Sequence, residues 1–320
     1  MKRVRFWGTR GSLPVALTAA GVRAKLTAVL RGAAGRSFAS EAELEGYLDG
    51  LDFAVAGTYG GHTSCVEIET GNGEYVICDL GSGARPLGQA ALARHGADAP
   101  QRYHVFLSHL HWDHIMGLPF FGPAFLEGNR IHIYGGHADI EGALRRQQRK
   151  PSFPVEMSIM KAALEFTRLE PGPRHEIAGL SVSLMRQRHG GDSYGYRFDA
   201  NGRSVVYTTD SEHRLVDPAE TERFVALFRG ADLVIFDAMY SLAESISVKA
   251  DWGHSSNIVG VDLCHHANVK HLCLFHHEPV CDDAAIDRVL KETRRYEEIS
   301  RDGAAPLHVS AAYDGMEIDW

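Results

Sequence analysis

Short apolar runs rich in valine, isoleucine, phenylalanine and tyrosine recur along the chain and predict β-strands. The predicted strands cover residues 2 to 7, 64 to 69, 74 to 79, 103 to 107, 130 to 134, 180 to 186, 193 to 198, 203 to 208, 232 to 236 and 271 to 275. Segments of helical periodicity lie between and after them, several opening with a capping residue such as Ser255 or Asp282. The predicted helices cover residues 84 to 95, 138 to 149, 218 to 229, 256 to 268 and 283 to 297. Strands mixed with helices in this order predict an α/β (α+β) fold.

Residues 15 to 50 interrupt this order and read as two helices, the second with a capping box from Ser40 to Glu43. We interpret them as a helical insertion that forms a lid over the following turn, decorates the surface or contacts a second copy in a homodimer. No repeat or low-complexity linker divides the chain, so residues 1–320 are expected to form a single domain.

Composition narrows the class of protein. An apolar content of 44% over 320 residues is ample for a large core. The net charge of -8 makes nucleic acid an unlikely partner, and the absence of a long apolar run predicts a cytoplasmic protein with no membrane partner. The five cysteines form no C-x-x-C pair and are expected to be reduced, buried thiols.

The stretch "FLSHLHWDHIMGLPF" at residues 106 to 120 carries His109, His111, Asp113 and His114 at the end of a predicted strand. With 18 histidines in the chain, H-x-H-x-D-H would arise by chance in roughly 0.3% of such sequences. The first two histidines can face the same way from an extended segment, while Asp113 and His114 address a neighbouring point. Imidazoles and carboxylates without a thiolate favour zinc and also admit manganese or iron.

One segment cannot complete two coordination shells, so further ligands must come from other strand ends. Candidates are His189, Asp210 and the pair His276 and His277, each just after a predicted strand. An isolated residue of this kind is usually structural or solvated. Taken together, the candidates supply the additional ligands that the first segment lacks.

The order H-x-H-x-D-H, then His, Asp and His, resembles the metallo-β-lactamase superfamily, as does "DLGSGA" at residues 79 to 84. The resemblance implies a four-layer αβ/βα sandwich with two divalent metal ions in a cleft at one sheet edge. It makes His109, His111 and His189 ligands of one ion and Asp113, His114 and His276 ligands of the other, with Asp210 bridging them. His276 is favoured over His277 because it directly follows "LCLF".

Two divalent ions lower the pKa of a shared water and stabilise the entering and leaving oxygens, which predicts a binuclear hydrolase acting through a metal-bridging hydroxide. The stretch "WGHSSNIVG" resembles ribonuclease Z-like and cyclic-phosphate phosphodiesterases of the superfamily. That resemblance implies that His254 donates a proton to the leaving alkoxide; the alternative is that His254 helps to cap the helix beginning near Ser255. Asp113 is expected to orient the attacking water as well.

The segments "GTRGS" and "YGGHTSC" also resemble that phosphodiesterase-like branch, in which both border the metal cleft. Arg10 is therefore a candidate phosphate clamp, with bracing of a loop as the equal alternative. His62, also a candidate substrate contact, stands where the branch has asparagine.

Small cyclic or nucleotide phosphodiesters rank first as substrates, because the chain shows no long basic arm for gripping a transfer RNA. A lactonase, a thioesterase and a non-catalytic metal-binding sensor are the alternatives.

Overall fold

The computed structural model describes residues 1–213, 217–239 and 253–320 and contains two seven-stranded sheets. The first sheet contains β1 (Arg3–Gly8), β2 (Cys65–Glu69), β3 (Tyr75–Cys78), β4 (Arg102–Leu107), β5 (Arg130–Gly135), β6 (Ala163–Arg168) and β14 (Glu317–Asp319), in the spatial order β14-β1-β2-β3-β4-β5-β6. The second contains β7 (His175–Ile177), β8 (Leu180–Gln187), β9 (Ser193–Ala200), β10 (Arg203–Thr208), β11 (Leu233–Asp237), β12 (His271–Phe275) and β13 (His308–Ala311), in the order β13-β12-β11-β10-β9-β8-β7.

Nine α-helices lie among the described residues. They are α1 (Ala19–Gly32), α2 (Glu41–Asp49), α3 (Phe53–Ala56), α4 (Ala84–His95), α5 (Trp112–Ile115), α6 (Ile140–Gln147), α7 (Pro218–Phe228), α8 (Asn257–His266) and α9 (Asp283–Ser300). Short 3-10 turns cover Leu118–Phe120, Gly122–Phe125 and Met157–Ile159. None of these helices could serve as a bilayer-spanning segment.

The packing has four layers. Side chains of both sheets, such as Phe106 and Tyr196, fill a central core between them. A second cluster packs the first sheet against α4 through residues such as Leu87, and a third packs the second sheet against α7, α8 and α9 through residues such as Phe228 and Ile286. The predicted αβ/βα sandwich is therefore confirmed.

Every strand that the apolar pattern predicts is present, and the four that it misses are the outer strands of the two sheets, β6, β7, β13 and β14. An outer strand pairs on one side only and is more open to solvent, so it lacks a continuous apolar run. In β6 every residue is at least partly exposed. The single-domain organisation stays a prediction.

The insertion folds as the two predicted helices, and neither α1 nor α2 has a buried residue. The Ser40 hydroxyl accepts a hydrogen bond from the backbone N–H of Glu43 at 3.3 Å, as expected of the capping box. Lys25 Nζ lies 2.7 Å from Asp283 Oδ2 and ties α1 to the start of α9. A cavity of about 570 Å³ lies between α1, α3 and that helix start, lined on one side by Arg10.

Candidate metal centre

Four strand ends and one helix start bring the candidate ligands together. His109 follows β4, His189 follows β8, Asp210 follows β10 and His276 follows β12. His111 is the N-cap of α5, which places Asp113 and His114 in the first turn of that helix.

The side chains form two groups that share Asp210. In each group one potential ligand atom per residue lies within 4.8 Å of all the others. The first group contains His109, His111, His189 and Asp210, and the second contains Asp113, His114, Asp210 and His276. These are the two sets that the sequence predicts.

The atoms of the second group are crowded in a way that suits a cation. His114 Nε2 and His276 Nε2 are 3.2 Å apart, although a neutral imidazole that donates from Nδ1 has only a lone pair on Nε2. His276 Nε2 also lies 3.1 Å from Asp210 Oδ1 and 3.2 Å from Asp113 Oδ2. In the first group, His109 Nε2 is buried without a hydrogen-bond partner among the described residues. Converging lone pairs of nitrogen and oxygen fit divalent metal ions.

The protonation states of the first group also suit metal binding. Burial holds the pKa of His109 well below its usual value, and neighbouring His114 lowers it further. Burial likewise lowers the pKa of His111 and of His189, so these imidazoles are neutral at pH 7. Burial opposes ionisation of Asp210, but facing histidines hold its pKa well below the usual range. Neutral imidazoles with an ionised carboxylate are the forms that coordinate metals.

Asp79, at the turn after β3, orients His114. Its buried carboxylate lies 2.7 Å from His114 Nδ1 and accepts hydrogen bonds from the Tyr207 hydroxyl at 2.7 Å and the Ser108 hydroxyl at 2.6 Å. A ring that donates from Nδ1 to a carboxylate directs Nε2 towards the centre. Asp79 was predicted only as part of a turn, although its place at the end of a predicted strand is a signal for a role in the centre.

Three residues of the centre have left-handed backbone conformations. The φ angles are +61° at Asp79, +48° at Asp210 and +61° at His276. Residues with a Cβ rarely adopt this region, although aspartate tolerates it better than most. The chain therefore turns sharply where it delivers these side chains.

The loop after β1 supports the second group from behind. The backbone N–H of Ser12 donates to Asp113 Oδ2 at 2.7 Å. A Cβ at Gly11 would lie 2.5 Å from the ring of His276, so only glycine fits there.

Arg10 is buried, and its guanidinium donates to the carbonyl oxygens of Gly60 at 2.9 Å and Cys281 at 2.7 Å. These contacts join three loops, so they fit the bracing alternative, and the structure does not support the phosphate clamp.

Two further candidate histidines, His62 and His277, lie outside both groups. His62 Nδ1 is 3.1 Å from the Ser82 hydroxyl, and the backbone N–H of His62 donates to Asp314 Oδ2. His277 is buried with its Nε2 2.8 Å from the carbonyl oxygen of Ala312. Of the two adjacent histidines, His276 is the one that lies in the centre.

His254 lies beside both groups, with its ring centroid 5.2 Å from those of His189 and His276. Its Nδ1 is 2.8 Å from Oδ2 of Asp237, a fully buried residue at the end of β11. Burial lowers the pKa of His254, but the charge and hydrogen bond of Asp237 outweigh burial and raise it to about 9. The side chain that caps α8 is that of Ser256, so the capping alternative for His254 is not supported. Asp237 was not among the predicted site residues.

The family model of the Beta-lactamase superfamily domain matches residues 75–277, which span the site from the start of β3 to His277. The chain belongs to this family. It is 22% identical over 245 residues to "Ribonuclease Z" of Oceanobacillus iheyensis, covering 60% of this chain and 76% of that protein. It is 25% identical over 255 residues to "Ribonuclease Z" of Synechococcus sp. strain WH7803, covering 64% and 76%. The predicted resemblance to the ribonuclease Z-like branch is thereby confirmed.

Solved structures share the fold along the whole chain. The metallo-beta-lactamase fold protein YhfI from Bacillus subtilis superposes with a TM-score of 0.64 at 17% identity, covering 99% of both chains. A diphosphatase from the PhnP family gives a TM-score of 0.60 at 19% identity, covering 100% of this chain and 98% of that chain. The short form of human tRNase Z gives 0.59 at 19% identity, covering 99% and 98%.

Proposed function

We propose that this member of the beta-lactamase superfamily is a metal-dependent hydrolase that cleaves phosphodiester bonds. The observation that carries the proposal is the Asp237–His254 pair beside two ligand groups that share Asp210. Relatives named ribonuclease Z support the reaction class. They also make the exclusion of nucleic acid from the charge of -8 doubtful, so RNA stands beside small nucleotide phosphodiesters as a substrate.

The residues fit two divalent metal ions, with zinc favoured by the nitrogen and oxygen donors and manganese or iron as alternatives. We assign His109, His111 and His189 to one ion and Asp113, His114 and His276 to the other, with Asp210 between them. When bound, such ions supply Lewis acidity that activates water and stabilises negative charge on a phosphoryl group.

His254 acts as the proton donor in this proposal. Its Nδ1 is directed to Asp237, so the proton that it gives to the leaving oxygen is the one on Nε2. The charge and hydrogen bond of Asp237 raise the pKa of this ring, which favours the protonated form that a donor needs. An alkoxide leaves poorly without protonation, so the donor matters most for natural phosphodiesters.

Asp113 acts as a hydrogen-bond acceptor for the attacking water. Burial opposes its ionisation, but His114 and His276 hold the pKa of this carboxyl below its usual range, so it is ionised at neutral pH. The N–H of Ser12 fixes one carboxylate oxygen.

The test measures hydrolysis by zinc-loaded and manganese-loaded protein with bis(p-nitrophenyl) phosphate, a dinucleotide and a lactone as substrates. Turnover of phosphodiesters that disappears on chelation and in Asp113→Ala supports the proposal. His266→Ala, which removes an exposed histidine of α8, serves as a control. Lactone opening without phosphodiester cleavage would identify a lactonase, and bound metal with no turnover would identify a sensor.

A further inference from the structure

His111 is the most exposed residue of the two ligand groups and marks the accessible side of the metal centre. The other members of the two groups are buried or partly buried. A substrate must therefore approach past His111. The next residue in the chain is Trp112, the first residue of α5.

Trp112 is 65% exposed, although it lies between two candidate ligands of the centre. A large aromatic ring left in water forgoes the burial that usually stabilises such a residue, so exposure beside a reactive site points to a ligand that covers the ring. The backbone at Trp112 is held in place, because its carbonyl oxygen accepts a hydrogen bond from the N–H of Met116, the C-cap of α5, at 2.7 Å. The indole is thus exposed to solvent, while the backbone that carries it is fixed by a hydrogen bond.

The segments that follow and pack against α5 carry further exposed aromatic and cationic side chains. Phe120 is 57% exposed and makes an edge-on contact with Phe153, with ring centroids 5.8 Å apart. The end of α6 lies against α5, because Gln147 Nε2 donates to the Ile115 carbonyl oxygen at 2.9 Å. The next two cationic residues, Arg149 and Lys150, are exposed and have no acidic partner in the described part of the chain.

We propose that Trp112 stacks against a nucleobase of the substrate, so that the site takes nucleotide phosphodiesters in preference to phosphodiesters of small alcohols. The inference rests on the proposed function and names its substrate class. Aromatic rings stack on bases of any sequence, and cations beside them bind the phosphates that follow along a strand. An exposed aromatic ring combined with cations fits nucleotides and single-stranded nucleic-acid ends. A surface that binds an apolar partner would not require the cations.

The experiment compares two diesters with the same leaving group, thymidine 5′-(p-nitrophenyl phosphate) and methyl p-nitrophenyl phosphate. We expect wild-type enzyme to prefer the nucleotide through a lower KM, and Trp112→Ala to raise that KM about 5- to 100-fold with little change in kcat. Trp112→Phe should retain part of the preference. Ile299→Ala, at an apolar residue of α9 that is 67% exposed, should leave both substrates unchanged.

Equal KM values for the two diesters, or a preference that survives in Trp112→Ala, would overturn the inference while leaving the proposed function intact. If neither diester is hydrolysed, the proposed function fails, and calorimetric titration then decides the inference by itself. Thymidine 5′-monophosphate must bind more weakly to Trp112→Ala than to wild type, with inorganic phosphate unaffected. A loss of dimer mass in Trp112→Ala without a change in nucleotide affinity would assign the ring to a subunit interface instead.

Discussion

Replacing His254 by alanine separates proton donation from the other contributions to catalysis, because the need for a donor depends on the leaving group. A p-nitrophenolate is a weak base and leaves without a proton, whereas the alkoxide of a dinucleotide does not. The partly buried His254 lies 2.8 Å from the fully buried Asp237, and this pair can hold a proton beside the centre. General acid catalysis contributes about 10²- to 10⁴-fold, or roughly 3 to 5 kcal/mol of barrier.

We therefore expect His254→Ala to reduce kcat for a dinucleotide by about 10²- to 10⁴-fold and kcat for bis(p-nitrophenyl) phosphate by less than about tenfold. The assay is steady-state hydrolysis of both substrates by fully metal-loaded protein, with the metal content of each variant measured in parallel. Equal losses on the two substrates at full metal content would refute proton donation and leave His254 with a structural role.

Three further substitutions test the groups around the centre. Asp237→Asn removes the charge that raises the pKa of His254 to about 9. Because the donor is active only below its pKa, the alkaline limb of the pH profile of dinucleotide cleavage should move to lower pH. An unmoved limb would show that Asp237 does not control the protonation of His254. Asp79→Asn should weaken zinc binding about 10- to 100-fold in a chelator competition titration, because His114 loses its orienting carboxylate; unchanged affinity would contradict this role. Gly11→Ala should lower activity and melting temperature because its Cβ would lie 2.5 Å from the ring of His276. Gly46→Ala, in α2 with no atom within 4 Å of the added Cβ, should instead stabilise the protein by about 0.5 to 1 kcal/mol, and equal effects of the two changes would argue against the clash.

The inner strands could be predicted from sequence because burial on both faces of a sheet produces short apolar runs. The longer helices could be predicted from their helical periodicity. The outer strands of the two sheets could not be predicted in this way, because β14 is only three residues long and β6 has no buried residue. The predicted enzyme class, a metal-dependent hydrolase, is confirmed by the family model and the relatives. The assignment of individual metal ligands stays a prediction.

Residues that act through a neighbour were the hardest to find. Asp79 and Asp237 are single aspartates at strand ends, and only their distances to His114 and His254 reveal what they do. Arg10 illustrates a different difficulty. The sequence left a phosphate clamp and a loop brace as equal alternatives, and the backbone carbonyls that the guanidinium contacts are visible only in the structure. Net charge similarly averages over the whole surface and does not report the charge of one part of it, such as the surface around Trp112.

The left-handed backbone at Asp79, Asp210 and His276 has a consequence for how this enzyme can change over time. Each position costs about 1 kcal/mol or more relative to a relaxed turn, and glycine would remove that cost along with the side chain. At Asp79 the same change would leave the buried hydroxyls of Tyr207 and Ser108 without their acceptor, so the sharp turn and the polar network behind the ligands are inherited together.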